Sequence, residues 1–377
     1  MDTDTYSRLN VLRRQFLQLV EPTQLRWPGP AVLKHSEVQK WLSSNLFDRS
    51  QGLPPPERYQ LRVLKTLISK IENAIDDPEE DVRMPSAPLM LAFAAANPQS
   101  HGQEISDDLM TTLSTLLGAG LPSESMSAQQ KAYVTYSFTS QSTSETISGD
   151  CAITLLEARS IISSCGTTGL RTWEAALFLG AYLVSDRGRD RIRGKRILEL
   201  GTGTGLISIL CSKHLTVSGI VATDGDEAIV DAMKTNIFLN GLDIGGSVSP
   251  VRTASLKWGY PLNAPTFAED YGMEVPDLVL GADITYDKLA NPLLVSTLRE
   301  FFDLNAELHV LIAATIRNEK TFEIFENACR RNGFSLELID FPPVPEHLQN
   351  GPFYPTSPPM QIWQITRKQT AQDPFSF

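Results

Sequence analysis

The sequence has little of what holds metals, spans membranes or grips nucleic acid. Its four cysteines, Cys151, Cys165, Cys211 and Cys329, form no C-x-x-C pair, so neither a zinc site nor a disulfide framework is indicated and reduced thiols are expected. The five histidines, at positions 35, 101, 214, 309 and 347, stand far apart and show no ligand spacing. No apolar run approaches the length of a membrane span. The formal net charge of -11 leaves no basic footprint for a phosphate backbone, which argues against direct nucleic-acid binding and suits a basic partner or plain solubility. A cytoplasmic monomer with no metal and no membrane attachment is the expectation.

What is present is enough apolar material for more than one core. A chain of 377 residues with 42% hydrophobic content is long for a single domain, so two are expected. Residues 1 to about 120 read as helices. Leu9, Leu12, Phe16 and Leu19 recur at near-helical spacing with Arg8, Arg13 and Arg14 between them, and Asp2 and Asp4 favour an amphipathic helix over a mitochondrial presequence. Ser36-Glu37-Val38-Gln39 has the form of a capping box ahead of Trp41, Leu42 and Leu46. Leu61, Leu64, Leu67, Ile68, Ile71 and Ile75 form an apolar stripe, and another helix is expected from Ile105 to Leu117. The joint is placed in Gly120 to Gln130 and the Ser/Thr-rich Thr139 to Ser148, which divides the chain into a helical domain at 1–125, a candidate for substrate docking, and a second domain at 126–377.

From about residue 150 strands alternate with helices. Ile153 to Glu157, Arg196 to Leu200, Ile220 to Thr223, Asp277 to Gly281 and His309 to Thr315 read as strands, with a helix expected from Trp173 to Val184. This implies an α/β fold with a parallel sheet, helices on both faces and ligands beyond the carboxyl ends of the strands. Ser335 to Ile339 and Met360 to Thr366 close the pattern as an antiparallel hairpin at one edge.

Glu199 to Leu206 read E-L-G-T-G-T-G-L directly after a strand. Such a glycine-rich turn lets backbone N–H groups close on a polar ligand at a helix N-terminus. A dinucleotide fingerprint wants a third glycine one residue later than Gly205, where Leu206 stands. G-x-G-x-G after an acid resembles instead the first motif of the seven-stranded S-adenosylmethionine (SAM) methyltransferases. The next strand ends in Asp224, about twenty residues on, where such folds set an acceptor-only carboxylate against two ribose hydroxyls. Asp226 and Glu227 read as first-turn acids of the helix from Glu227 to Asn240.

The strand Leu278–Gly281 leads into Ala282-Asp283-Ile284-Thr285-Tyr286. Taken alone, Asp283 reads as a helix cap and Tyr286 as core; beside the cofactor motifs, the two read as a reactive strand end. The D-x-x-Y spacing differs from the Asn/Asp-Pro-Pro-Tyr/Phe motif of methyltransferases acting on adenine or glutamine. Upstream lies the string from Gly166 to Ala176, G-T-T-G-L-R-T-W-E-A-A, in which the Trp173 indole is either packing or a shield for a sulfonium. Leu256-Lys257-Trp258-Gly259 follows the third strand region, where Trp258 is either a loop anchor or a face for adenine.

Together, G-T-T-G-L-x-T-W, E-L-G-T-G-T-G, Asp224, K-W-G and A-D-I-T-Y resemble methyltransferase family 16, the D-x-x-Y seven-β-strand lysine methyltransferases. The resemblance spans roughly residues 150 to 370 and lies nearest the eukaryotic branch that methylates a lysine of translation elongation factor 2. It implies a Rossmann-like seven-stranded sheet and SAM as cofactor, lined by Trp173, Gly201, Thr202, Gly203, Asp224, Trp258 and Ala282, with Glu199 and Gly205 shaping the turn. It implies a protein-lysine N-methyltransferase, with Asp283 and Tyr286 at the lysine entrance: Asp283 recruits and orients the amine and Tyr286 confines it. One departure is Lys257, which stands where relatives commonly carry aspartate before the tryptophan.

Overall fold

The computed structural model describes residues 1–48, 50, 52–76, 104–139, 151–158, 168–243 and 251–368. His101, Cys165, Gly166, Thr167 and residues 140–148 of the expected joint lie outside these. The chain divides into two compact units, Met1–Val134 and Thr135–Phe377.

The first unit holds helices α1 (Thr3–Leu17), α2 (Pro30–Leu33), α3 (Ser36–Leu42), α4 (Glu57–Ile75), α5 (Asp107–Gly118) and α6 (Glu124–Gln129), with a π-helical turn at Ser43–Phe47. Asp2 caps α1, its carboxylate accepting the Thr5 N–H at 2.9 Å. The expected capping box at Ser36 does not form: only Lys34 and His35 separate α2 from α3, His35 takes the N-cap position, and Ser36 is already helical. The stripe on α4 buries Val63, Leu64, Leu67 and Ile71 completely against Leu9, Leu12, Phe16 and Leu42, each contributing about 2 kcal/mol.

Two strands, β1 (Lys131–Phe138) and β2 (Cys151–Ala158), pair in a small sheet of their own. β1 was not expected: its alternation, buried at every second residue at first, falls between the two stretches in which the joint was placed. After α7 (Glu174–Val184) and α8 (Asp186–Ile192) come β3 (Arg196–Leu200), α9 (Leu206–His214), β4 (Gly219–Asp224), α10 (Glu227–Leu239), β5 (Val251–Ser255), α11 (Phe267–Tyr271) and β6 (Leu278–Ala282). α12 (Asn291–Leu304), β7 (His309–Thr315), α13 (Glu319–Arg331), β8 (Phe334–Leu338) and β9 (Met360–Arg367) complete the unit.

The main sheet has seven strands in the order β5-β4-β3-β6-β7-β9-β8. β5, β4, β3, β6 and β7 are parallel, and β9 runs antiparallel between β7 and β8. The closing pair is thus an edge hairpin with β8 outermost. Buried Leu198, Val279, Val310 and Ile312 meet Leu298, Phe301, Phe302 and Phe325 on one face. The strand order reverses on either side of β3, so the carboxyl ends of β3, β4 and β6 open a crevice at the switch point.

Candidate active site

The turn after β3 is built around three glycines that no other residue replaces easily. Gly201, Gly203 and Gly205 have φ of 61°, 54° and 85°, the left-handed region that glycine enters without strain. A Cβ on Gly201 would lie 2.7 Å from Ile284, one on Gly203 3.2 Å from the Gly169 carbonyl, and one on Gly205 2.9 Å from Met233. The cradle therefore exists because side chains are missing from it. Glu199 ties the turn from below, accepting the Thr202 hydroxyl at 2.8 Å, the Ser208 N–H at 3.0 Å and the Ser208 hydroxyl. Burial pushes its carboxyl up to about 7.

Asp224 stands at the end of β4, its two oxygens accepting the N–H groups of Gly203 at 3.2 Å and Asp226 at 3.1 Å. Burial raises its pKa above the ordinary carboxylate value. Asp226 caps α10, accepting the Ala228 N–H at 2.9 Å. The Trp258 ring approaches the turn, 3.4 Å from a Cβ placed on Gly201, and the Gly259 N–H donates to the Thr297 hydroxyl at 2.9 Å. Lys257 is exposed beside it.

The loop before α7 hangs on a buried network that the sequence motifs did not announce. Glu157, at the end of β2, accepts the Thr172 hydroxyl at 2.6 Å, the Thr172 N–H at 3.2 Å and the Tyr136 hydroxyl at 3.2 Å. Thr172 in turn shares a hydrogen bond of 2.7 Å with Thr204 of the glycine turn. Asn236 joins the same parts, its amide donating to the Thr204 carbonyl at 2.9 Å and accepting the Leu156 N–H at 2.8 Å. β2 is thereby fastened to the turn, and Trp173 is carried on the fastened loop. Its indole N–H donates to the Thr168 carbonyl at 3.1 Å, and the guanidinium carbons of Arg171 and Arg317 lie 5.3 and 5.2 Å from its ring centroid.

Asp283, the residue after β6, does not cap α12, the helix that follows it, whose N-cap is Ala290. Its φ of 52° is unusual outside glycine, and strain of this kind clusters where a site must be held in place. Oδ1 accepts the Thr315 N–H at 2.8 Å; Oδ2 accepts the Thr315 hydroxyl at 3.0 Å and the Ala175 N–H at 3.3 Å. The Arg317 guanidinium lies 3.7 Å from Oδ2. Burial raises the Asp283 pKa, while these donors and Arg317 oppose the rise. Tyr286 is exposed nearby in sequence rather than core.

A cavity of about 610 Å³ gathers these groups. It is lined by Trp173, Glu199, Gly201, Thr202, Gly203, Asp224, Trp258, Ala282, Asp283 and Tyr286, all expected from the sequence, while Gly205 lies outside it as the N-cap of α9. Arg171, Leu293 and Arg317 also line it without having been assigned a role. For Arg317 a signal existed: it follows the strand end next to Asp283 in the sheet. The residues fit SAM: the volume is within the range of about 300–1,000 Å³ for cofactor pockets, the glycine cradle admits close backbone approach, and a carboxylate and two indoles face the space.

A family model described as lysine methyltransferase matches residues 157–331, a span that includes every lining residue named above. The protein-lysine N-methyltransferase EFM3 of Chaetomium thermophilum is 42% identical over 357 residues, covering 94% of this chain and 96% of that one. The Saccharomyces cerevisiae protein-lysine N-methyltransferase EFM3 is 31% identical, covering 74% of this chain and 80% of its own. The human protein-lysine N-methyltransferase EEF2KMT is 30% identical over 196 residues, covering 50% and 57%. The chain belongs to this lysine methyltransferase family. It is a protein-lysine N-methyltransferase that uses SAM, and its substrate is a protein.

Proposed function

We propose that the protein methylates a lysine of translation elongation factor 2, acting as a cytoplasmic monomer with Asp283 and Tyr286 at the lysine entrance. One observation supports the chemical part most: Asp283, held in a left-handed backbone by Thr315 and Ala175, lines the same cavity as the glycine turn. The name of the human relative, EEF2KMT, supports the substrate. No helix among the described residues is long and apolar enough to cross a membrane.

When bound, SAM supplies an activated methyl group for direct displacement by an amine. The glycine turn and Asp224 would hold its ribose, Trp258 its adenine, and Trp173 would keep water from the sulfonium. The lysine must arrive neutral, although its ordinary pKa of about 10.4 leaves it charged at neutral pH. A bare carboxylate would stabilise the ammonium and oppose that. Asp283 is not bare: three hydrogen bonds fill three of its roughly four acceptor positions, leaving one on Oδ1 to orient an amine N–H. Alignment and a dry channel then supply most of the rate.

The test is incubation of the purified protein with labelled SAM and a cell extract, followed by identification of the labelled protein and residue. Label on a lysine of elongation factor 2 is expected. Label on another protein would replace the substrate and leave the chemistry standing.

A further inference from the structure

We propose that Arg317 sets the charge of the lysine entrance, acting as a fixed cation that lowers the pKa of the incoming lysine and so helps to present it as the neutral nucleophile. The inference rests on the reading that the lysine enters beside Asp283.

Four charged side chains from three stretches of the chain converge there. Arg317, two residues past the end of β7, places Nη2 2.5 Å from the Glu174 Oε2 and Nη1 3.7 Å from the Asp283 Oδ2. Arg171, in the loop before α7, lies 3.8 Å from the other Glu174 oxygen. Two cations thus balance two anions around the Trp173 indole. Both arginines and Asp283 line the cavity, and the Arg317 side chain is 41% exposed. Arg317 is tied to the start of α7 and to the Asp283 loop yet still lines the space that an amine would enter.

The consequence follows from Coulomb's law. Without Arg317 the cluster would carry a net negative charge, and its Asp283 carboxylate already favours an ammonium. With it, the cluster is neutral and a cation stands next to the amine, which disfavours the protonated form. Arginine suits this task because it stays protonated across the whole range in which lysine titrates. The other titratable groups facing the cavity are Tyr286 on the Asp283 loop, Glu199 and Asp224 at the glycine turn, Asp226 at the start of α10 and Lys257 after β5. Loss of Arg317 also favours protonation of Asp283, so both effects move the reactive state, ionised Asp283 with a neutral amine, toward higher pH.

The experiment measures single-turnover methylation, with enzyme and SAM in excess, from about pH 6 to about pH 10. The substrate is purified elongation factor 2, or whichever extract protein the wild-type enzyme labels. Arg317→Gln is expected to move the rising limb of the rate up by about one pH unit, so that the rate falls about tenfold at neutral pH and recovers at alkaline pH, with SAM affinity within about twofold of wild type. Arg317→Lys should restore most of the neutral rate. Glu174→Gln removes an anion from the same cluster and should move the limb the opposite way, which keeps the inference testable even if Arg317→Gln does not fold. A uniform loss across pH with an unmoved limb would make Arg317 merely structural, and a Glu174→Gln limb that stays put or moves upward would overturn the inference too. Wild-type turnover in Asp283→Asn would instead remove the reading of the entrance itself.

Discussion

Thr315 donates both its backbone N–H, at 2.8 Å, and its hydroxyl, at 3.0 Å, to the carboxylate of Asp283. The two residues sit at the ends of adjacent parallel strands, and the pairing of Ala282 with Ala313 sets the register that brings them together. The bond from the Asp283 N–H to the Ala313 carbonyl, at 2.9 Å, closes the same junction. The geometry of the acid is therefore a property of the sheet rather than of its loop.

Thr315→Val keeps the shape and the N–H but removes the hydroxyl donor. A hydrogen bond to a charged group contributes about 1.5–3 kcal/mol, so methylation should fall about tenfold or more while SAM affinity changes little. Steady-state kinetics paired with calorimetric titration of SAM separates the two, and an equal loss in both would mean that Thr315 serves the cofactor.

Asp224→Ala should weaken SAM binding by about 1.5–3 kcal/mol through loss of the ribose contact, read by calorimetry. Gly203→Arg should abolish binding, because the position has a φ of 54° and its Cβ would crowd the Gly169 carbonyl at 3.2 Å. Unchanged affinity in a folded Asp224→Ala protein would pass the ribose role to Asp226.

Glu199 gives the free enzyme a pH-dependent weakness. Burial moves its carboxyl from 4.5 up to about 7, so between these values the folded chain holds a proton that the unfolded chain has released. The group's destabilising cost grows as pH rises through that window and is complete above about 7. Glu199→Gln should remove this slope: between about pH 5 and pH 8 the wild-type Tm should fall more than that of the variant. Parallel curves would contradict the assignment.

The helical unit has a core of its own, and we propose that it grips the folded substrate. Protein lacking residues 1–125 should bind SAM and methylate whole elongation factor 2 poorly. With intact enzyme and a basic substrate surface, kcat/KM should fall as salt shortens the screening length to about 10 Å at 0.1 M, since this chain is acidic. A soluble truncated enzyme with full activity would refute the docking role.

The glycine turn and the acid at the next strand end were legible in the sequence because a backbone with φ above zero leaves few residue choices and Asp224 ends a buried strand beside that turn. That Asp283 and Tyr286 line the same cavity as the glycine turn was legible from their place after a buried strand. The Glu157–Thr172–Thr204 network and the pairing of Arg317 with Glu174 were not, because they join residues 15 to 143 positions apart through sheet register and helix docking. Edge strand β5, with one buried residue among five, and the separate strand β1 lack the continuous apolar run that marks the central strands. The capping box at Ser36 failed because the preceding helix leaves no room for Ser36 to be the cap.

The most direct test of the central claim is mass spectrometry of elongation factor 2 after incubation with SAM and either wild-type enzyme or Asp283→Asn. Wild-type enzyme should add methyl groups to one lysine, and the variant should add none while binding SAM with near-normal affinity in calorimetry. Near-normal methylation by Asp283→Asn, or loss of its SAM binding, would contradict the placement of Asp283 at the lysine rather than at the cofactor.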